Sequence, residues 1–220
     1  MQDWIQQLNP SSESLDHLYT QHLLRIDCYK AISKYILETL QNYKHICVVM
    51  YGHPAVFAQP ALDTVKQAKK NGYFAKILPA ISAEDCLFAD LLIDPGSYGC
   101  QSFEATDFLI HRRQFDTKSH LILWQVGVIG ALTHVKNFND KNGISILANY
   151  LKQFYLPEHS VIAYEASQYP SFEPRIEEIA LKQLANIVLS RITTLYVPPS
   201  GKAKCDKSML EALNIDITNL

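Results

Sequence analysis

Hydrophobic positions in the first half of the chain recur at helical spacing before they run together. Leu24, Cys28, Ile32, Ile36 and Leu40 fall four apart, which puts them on one stripe and predicts a helix over 24–41 with that stripe facing a core. Upstream, Asn9-Pro10-Ser11-Ser12 offers a capping side chain followed by a proline where no amide partner is needed, so a helix is predicted from about residue 10. Ile46-Cys47-Val48-Val49-Met50-Tyr51 is then continuously apolar and rich in β-branched residues, and it stops at Gly52-His53-Pro54. This is the pattern of a strand buried on both faces, predicted here as a central parallel strand. A helix over 60–72, opened by Pro60 and closed by Gly72, and a short strand over 74–78 complete a predicted βαβ unit.

A further apolar helix is predicted over 83–92, then a loop over 94–99, then a helix or strand-plus-helix at 106–111. The polar stretch from His111-Arg112-Arg113-Gln114 to Asp116-Thr117-Lys118 separates this half from 121–126, the strongest strand signal that remains. The domain boundary is therefore placed near residue 117, giving domains over 1–117 and 118–220. The second half reads as strand 121–126, helix 142–155, strand 161–165, helix 176–186 and strand 193–197. Alternation of this kind makes the fold class α/β, in two α/β domains.

Composition narrows the function without naming it. Of 220 residues 48% are hydrophobic and 19% charged, a globular balance rather than a disordered one. With 20 basic against 22 acidic residues, no net field draws phosphate backbones or an anionic bilayer, so neither a nucleic-acid nor a membrane partner is expected. The longest apolar stretch, 121–132, contains Gln125 and two glycines and is shorter than the roughly 20 residues that span a bilayer. Asp3, Glu13 and Asp16 interrupt the first 20 residues, which lack a basic-then-apolar signal, so a cytoplasmic location is expected. Five widely spaced cysteines, mostly in apolar surroundings, read as reduced core thiols. The chain has no C-x-x-C pair and no ligand-like grouping of its eight histidines, so no metal is expected.

The sequence lacks G-x-G-x-x-G, G-x-x-x-x-G-K-S/T, G-x-S-x-G and H-E-x-x-H, which removes the usual support for dinucleotide binding, ATP hydrolysis and zinc proteolysis. Candidate chemistry then falls on the turns after strands, where open α/β sheets take ligands. Three such turns stand out: Tyr51-Gly52-His53-Pro54, the run from Pro79 to Asp85, and Gln125-Val126-Gly127. Gly52 permits close backbone approach, Ser82 lies beside a helix start, and Gln125 offers a donor and an acceptor to a purine edge. The same residues also describe ordinary turns and a helix cap.

Long ordered blocks make the pattern specific. MYGHPAVF (50–57), LPAISAEDCLFADLLIDP (78–95), CQSFEATDFLIHRR (100–113), LILWQVGVIG (121–130), YEASQYPSFEPRIE (164–177) and TLYVPP (194–199) resemble the borosin α-N-methyltransferases of the tetrapyrrole-methylase-like superfamily. The resemblance implies two α/β domains with S-adenosyl-L-methionine held in the cleft between them, a homodimer, and repeated methylation of backbone amides in a precursor peptide. It assigns cofactor contact to Tyr51, Gly52, His53, Pro54, Val56, Phe57, Ser82, Ala83 and Gln125. Tyr19, Arg25, Asp27 and Tyr29 match the family's R-x-D-x-Y segment with an upstream tyrosine, which assigns catalysis to Tyr29, Arg25 and Tyr19, with Tyr51 beside them. Arg25, four residues from Tyr29 on one helix face, is expected to lower the Tyr29 phenol pKa from about 10. That spacing also fits a surface pair that merely steadies a helix by a few tenths of a kcal/mol.

Two departures from the family shape the expectation. The chain begins at MQDWIQQLNP, after the family's first strand, glycine-rich turn, helix and second strand, so the first domain is expected to lack its usual N-terminal strands. It ends at Asn219-Leu220 without the peptide extension of fused members, so the precursor is expected to be a separate protein. Two alternatives stay open: a methylase of a tetrapyrrole-like small molecule, and a catalytically dead fragment that binds a precursor peptide or a partner subunit.

Overall fold

The structure, a computed structural model, describes residues 2–21, 24–133, 141–169 and 171–217. Pro170 of the 164–177 block and the chain end at Asn219-Leu220 lie outside the described residues. The fold is mixed α/β, and the chain forms two compact units: Met1–Ala89 with Gly130–Phe138, and Asp90–Ile129 with Asn139–Leu220. Residue 117, the boundary position read from the sequence, falls inside the second unit.

The first unit carries α1 (Gln2–Leu8), α2 (Asp16–Gln21), α3 (Arg25–Thr39), α4 (Gln59–Lys70) and all but the last residue of α5 (Ala83–Asp90). The predicted stripe works over the middle of α3, where Cys28, Ile32 and Ile36 are buried against Leu18 of α2. Leu24 at the start of the stripe is 41% exposed. The Ser33 hydroxyl of α3 donates to the Pro60 carbonyl at 3.1 Å, and Thr64 donates to the same oxygen at 2.7 Å, tying α3 to the first turn of α4.

Three expectations fail in this unit. Asn9 does not start a helix; its side-chain oxygen accepts from the Ser11 amide at 3.2 Å and the Ser11 hydroxyl at 2.7 Å, closing a local turn in place of a helical one. Helix α2 starts later, at Asp16, whose amide reaches the Ser14 hydroxyl at 3.3 Å. Residues 46–50 and 74–78 are not strands, so the βαβ unit does not form among the described residues. A strand exists only with a hydrogen-bonded neighbour, and neither segment has one among the described residues; Val49 is 54% exposed where burial on both faces is expected, and Phe74 is 92% exposed. Across the chain the five cysteines are free thiols, but only Cys28 is buried; Cys86 and Cys100 are half-buried and Cys47 and Cys205 exposed, so the core part of that expectation fails.

The second unit holds the sheet. β1 (Cys100–Glu104) pairs parallel with β2 (His120–Trp124), β2 antiparallel with β5 (Thr194–Val197), β5 antiparallel with β3 (Ser160–Glu165), and β3 antiparallel with β4 (Arg175–Ala180). The unit also carries α6 (Ala105–Ile110), α7 (Lys141–Leu151) and α8 (Lys207–Ala212), of which α8 buries no residue. The core joins Ile144, Leu147 and Leu151 of α7 to Leu121 and Leu123 of β2, Val161 of β3 and Leu195 and Val197 of β5. The predicted helix over 176–186 is instead β4 followed by a 3-10 helix, Leu181–Asn186. Six residues of register with β3, from Ala180 opposite Ser160 to Arg175 opposite Glu165, outweigh the helical spacing of Ile176 and Ile179. Among the described residues no helix is long and apolar enough to cross a membrane.

Among the described residues, one buried side-chain group is left without a partner. The Tyr155 hydroxyl is enclosed with no hydrogen bond, and burial, then nearby Asp116, pushes its pKa up to about 12; burial does the same to Tyr196. Both folded-state values lie above the ordinary 10.0, so the stability tied to them is intact below pH 10 and is lost as pH rises toward 12. Tyr155→Phe removes the unmatched hydroxyl, so it should stabilise the chain by about 1 kcal/mol and soften its alkaline unfolding. Urea titrations at pH 7 and pH 11 check this, and a Phe variant less stable than its parent at both values contradicts it.

Candidate functional site

All the catalytic and cofactor candidates except Gln125 belong to the first unit. There the turn after residue 50 is built from short-range bonds. The Ala55 amide donates to His53 Nδ1 at 3.0 Å and the Val56 amide to the His53 carbonyl at 3.1 Å, so His53 organises the loop through both ring and main chain. With Nδ1 accepting, a neutral ring carries its proton on Nε2. Gly52 sits at φ +72, and Phe57 closes the loop at φ 51, a left-handed conformation uncommon for a bulky side chain. Tyr51 is 65% and Phe57 51% exposed, so two aromatic faces flank the turn, while His53, Pro54 and Val56 are half-buried.

The second predicted segment lies beside the first. A Cβ on Gly52 would stand 3.9 Å from the Ile81 carbonyl, next to Ser82 at the start of α5. Ser82 is buried, and its amide and hydroxyl both donate to Asp85 Oδ2 at 2.7 Å, while its oxygen receives the Asp85 amide at 3.3 Å. Ser82 thus caps its helix in a reciprocal box, and Ala83 is the exposed residue that follows. The Ser82 side chain and amide hold the Asp85 carboxyl below its usual range. Asp85 ends the second candidate turn but carries no role in the assignment made from the sequence, although the S-x-x-D spacing of Ser82 and Asp85 signals the cap. Burial, reinforced by Asp85, raises the pKa of adjacent Glu84.

Tyr19, Arg25 and Tyr29 also come together. Leu24 bridges Thr133, the Arg25 amide donates to the Leu132 carbonyl at 3.0 Å, and Arg25 Nε reaches the Thr133 carbonyl at 3.4 Å, so the start of α3 is pinned. Burial raises the pKa of both phenols, with Cys28 adding to the rise of each and Tyr29 to that of Tyr19. For Tyr29 burial comes first and the opposing pull of Arg25 second, so the net shift is upward. This corrects the expectation of a lowered Tyr29 pKa: the arginine acts in the predicted direction, but desolvation outweighs it.

Gln125 belongs to the second unit, directly after β2, at φ 59 and ψ 33. Its carbonyl accepts the Val128 amide at 3.0 Å, and the Val126 amide donates to the Thr193 carbonyl at 3.2 Å. The turn is pressed against residues 189–190, where a Cβ on Gly127 would lie 1.8 Å from the Ser190 carbonyl oxygen. Within the first unit, the turn amides approachable at Gly52 lie between the exposed aromatic faces of Tyr51 and Phe57, an arrangement that can take a polar ligand with a flat ring. No group of three or more histidine, cysteine or acidic side chains is placed to hold a metal among the described residues.

The tetrapyrrole (corrin/porphyrin) methylases match residues 2–178. The methyltransferase/ribosomally synthesized cyclic peptide gymnopeptides precursor of Gymnopus fusipes is 41% identical over 197 residues, 87% of this chain and 46% of that protein. The corresponding dendrothelin A precursor of Dendrothele bispora is 35% identical over 213 residues, 93% of this chain and 50% of that one. The chain therefore spans about half the length of these curated relatives. Among solved structures, uroporphyrin-III C-methyltransferase from Thermus thermophilus, complexed with S-adenyl homocysteine, aligns with a TM-score of 0.54 at 15% identity over 77% of this chain and 72% of that one. Diphthine synthase aligns at 0.53 and 13% identity, over 78% and 67%. At that identity the likeness is one of fold.

The tight approach at Gly127 can be tested directly. Gly127→Ala cannot be accommodated without moving the 189–190 backbone, so a loss of about 2 kcal/mol or more is expected. Denaturant titration reads it, and a midpoint within error of the parent's would remove the close approach.

Proposed function

The chain belongs to the tetrapyrrole (corrin/porphyrin) methylase family, and on that premise we propose that it is a borosin-type methyltransferase, using S-adenosyl-L-methionine to methylate backbone amide nitrogens of a separate precursor peptide. The observation that carries this reading is the likeness, over nearly the whole chain, to proteins named as a methyltransferase joined to a ribosomal peptide precursor. We assign cofactor contact to Tyr51, Gly52, His53, Pro54, Val56, Phe57, Ser82 and Ala83 in the first unit and to Gln125 in the second. The exposed apolar segments 46–50 and 74–78 support assembly as a homodimer.

The chemical difficulty lies in the acceptor. An amide nitrogen shares its lone pair with the carbonyl and is a poor nucleophile until its proton is removed or its resonance is weakened. The sulfonium cofactor supplies an already electrophilic methyl group, so the protein has only to position and activate the amide. Tyr29 is the base in this reading: as a phenolate it accepts the amide proton on its oxygen while the nitrogen takes the methyl carbon. Arg25 stabilises that phenolate and, with its planar set of donors, can polarise the amide carbonyl. Tyr19 shares the pocket of phenols, and its own charge would oppose a second ionisation there.

Because burial keeps the Tyr29 pKa above 10.0, the phenolate is the minor form near neutrality and its fraction grows about tenfold per pH unit. The rate of methylation should therefore climb through the alkaline range with a logarithmic slope near one up to pH 9, and a flat profile there would argue against Tyr29 as base. Tyr29→Phe keeps the ring and its packing but removes the ionisable oxygen, so methylation should fall by at least about 100-fold while cofactor binding persists. Mass spectrometry of the precursor peptide reads the number of methyl groups added; a near-parental methylation ladder from Tyr29→Phe would return Arg25 and Tyr29 to a helix-stabilising role. Saturable cofactor binding by the parent chain without any methylated peptide would instead favour a binding-only module.

A further inference from the structure

We infer that Thr193 is a positioning residue for Gln125, setting the turn through a buried hydroxyl held between Glu165 and Ser190. The inference rests on the reading that Gln125 touches the cofactor. Thr193 is fully buried, and its groups act in three directions. Its hydroxyl donates to Glu165 Oε1 in a short bond, the same oxygen accepts the Ser190 amide at 2.8 Å, and its carbonyl accepts the amide of Val126, the residue after Gln125, at 3.2 Å. The Ser190 carbonyl is also the atom against which Gly127 is pressed. One side chain therefore fixes both the anchor and the wall of the 125–127 turn.

The direction of the hydrogen bonds is determined by charge. Arg175 Nη1 donates to Glu165 Oε1 at 2.9 Å, and Nη2 donates to Glu177 and, at 2.7 Å, to the Val188 carbonyl. Burial acts to raise the Glu165 pKa, but bonds from Thr193, Ser190 and Arg175 outweigh it and the carboxyl stays below its usual range. An ionised carboxylate can only accept, so the Thr193 proton must point to Glu165, leaving its lone pairs to the Ser190 amide. The arginine continues the constraint into residue 188, so the 188–193 loop is held at both ends. Gln125, a non-glycine residue in the left-handed region, keeps that conformation only while its surroundings hold it. Loss of the hydroxyl frees the 190 turn first, and the Gln125 side chain moves with it.

The test is calorimetric titration of the full 220-residue chain with S-adenosylhomocysteine, at a temperature where each variant is folded by circular dichroism. Thr193→Val keeps the shape without donor or acceptor and should weaken binding about 10-fold, while Thr193→Ser, which keeps the hydroxyl, should stay within roughly 2-fold of the parent. Gln125→Ala should weaken binding comparably, and Thr193→Val combined with Gln125→Ala should be no weaker than Gln125→Ala alone. If Thr193→Val does not fold, Glu165→Gln substitutes for it, with an expected loss of several-fold. Unchanged affinity in Thr193→Val or Glu165→Gln beside a weakened Gln125→Ala overturns the inference and leaves the cofactor reading standing. Additive losses in the double variant overturn it as well. Unchanged affinity in Gln125→Ala, or no saturable signal from the parent, overturns the cofactor reading and the inference together.

Discussion

The hydrogen bonding of β5 on both edges is the interaction on which the second unit depends. Its four residues are all buried, and Leu195 faces Leu123 on one side and Ala163 on the other, while Tyr196 faces Ile122 and Ile162. Buried main-chain amides and carbonyls are tolerable only when paired, so the ladder settles where the chain enters and leaves the sheet centre. Thr193, one residue before β5, inherits its position from that ladder and passes it to the turn carrying Gln125. A side-chain pair works the same way: His120 Nδ1 and the Tyr196 hydroxyl meet at 2.6 Å across β2 and β5, so the polar atoms of two buried rings satisfy each other.

That requirement also explains what could be read in the sequence. β2, β3 and β5 were legible because their apolar runs meet partners: Leu121, Val161 and Leu195 are fully buried as the pattern demands. Residues 46–50 carry an equally strong pattern, yet periodicity reports the preference of a segment and never the presence of its neighbour. β4 was hidden for the converse reason. Arg175-Ile176-Glu177-Glu178-Ile179 spaces its isoleucines by three, and only the register with β3 turns that run into a strand. β1 was obscured by Gln101 and Ser102, whose polar groups find bonds to the Asp116 backbone and to Trp124. Helix α3 was easiest, since four-residue spacing is a property of the segment itself.

At the site, adjacency was legible and environment was not. Four-residue spacing places Arg25 beside Tyr29 whatever else the chain does, but the balance between a guanidinium and desolvation depends on what covers the ring. The cap formed by Ser82 and Asp85 shows a related limit. The residue types were visible, whereas the choice of Asp85 over Glu84 as the reciprocal partner depends on helix geometry, which directs the third residue after the cap back toward it. Thr193 left no mark in the sequence because two of its three contacts, Glu165 and Val126, lie far from it along the chain.

The open segment at residues 46–50 also bears on how the chain behaves in bulk. It is free of charge and proline, and valine and isoleucine make up most of it, a composition that suits an incoming strand as well as an internal one. This is the composition from which cross-β stacking grows, with each added copy offering the next the same edge. Association of that kind rises steeply with concentration and competes with folding while the segment stays uncovered. Slow synthesis, capture by holding chaperones, or a charged residue placed at Val48 or Val49 would all act on the yield of usable protein without touching any residue assigned to chemistry.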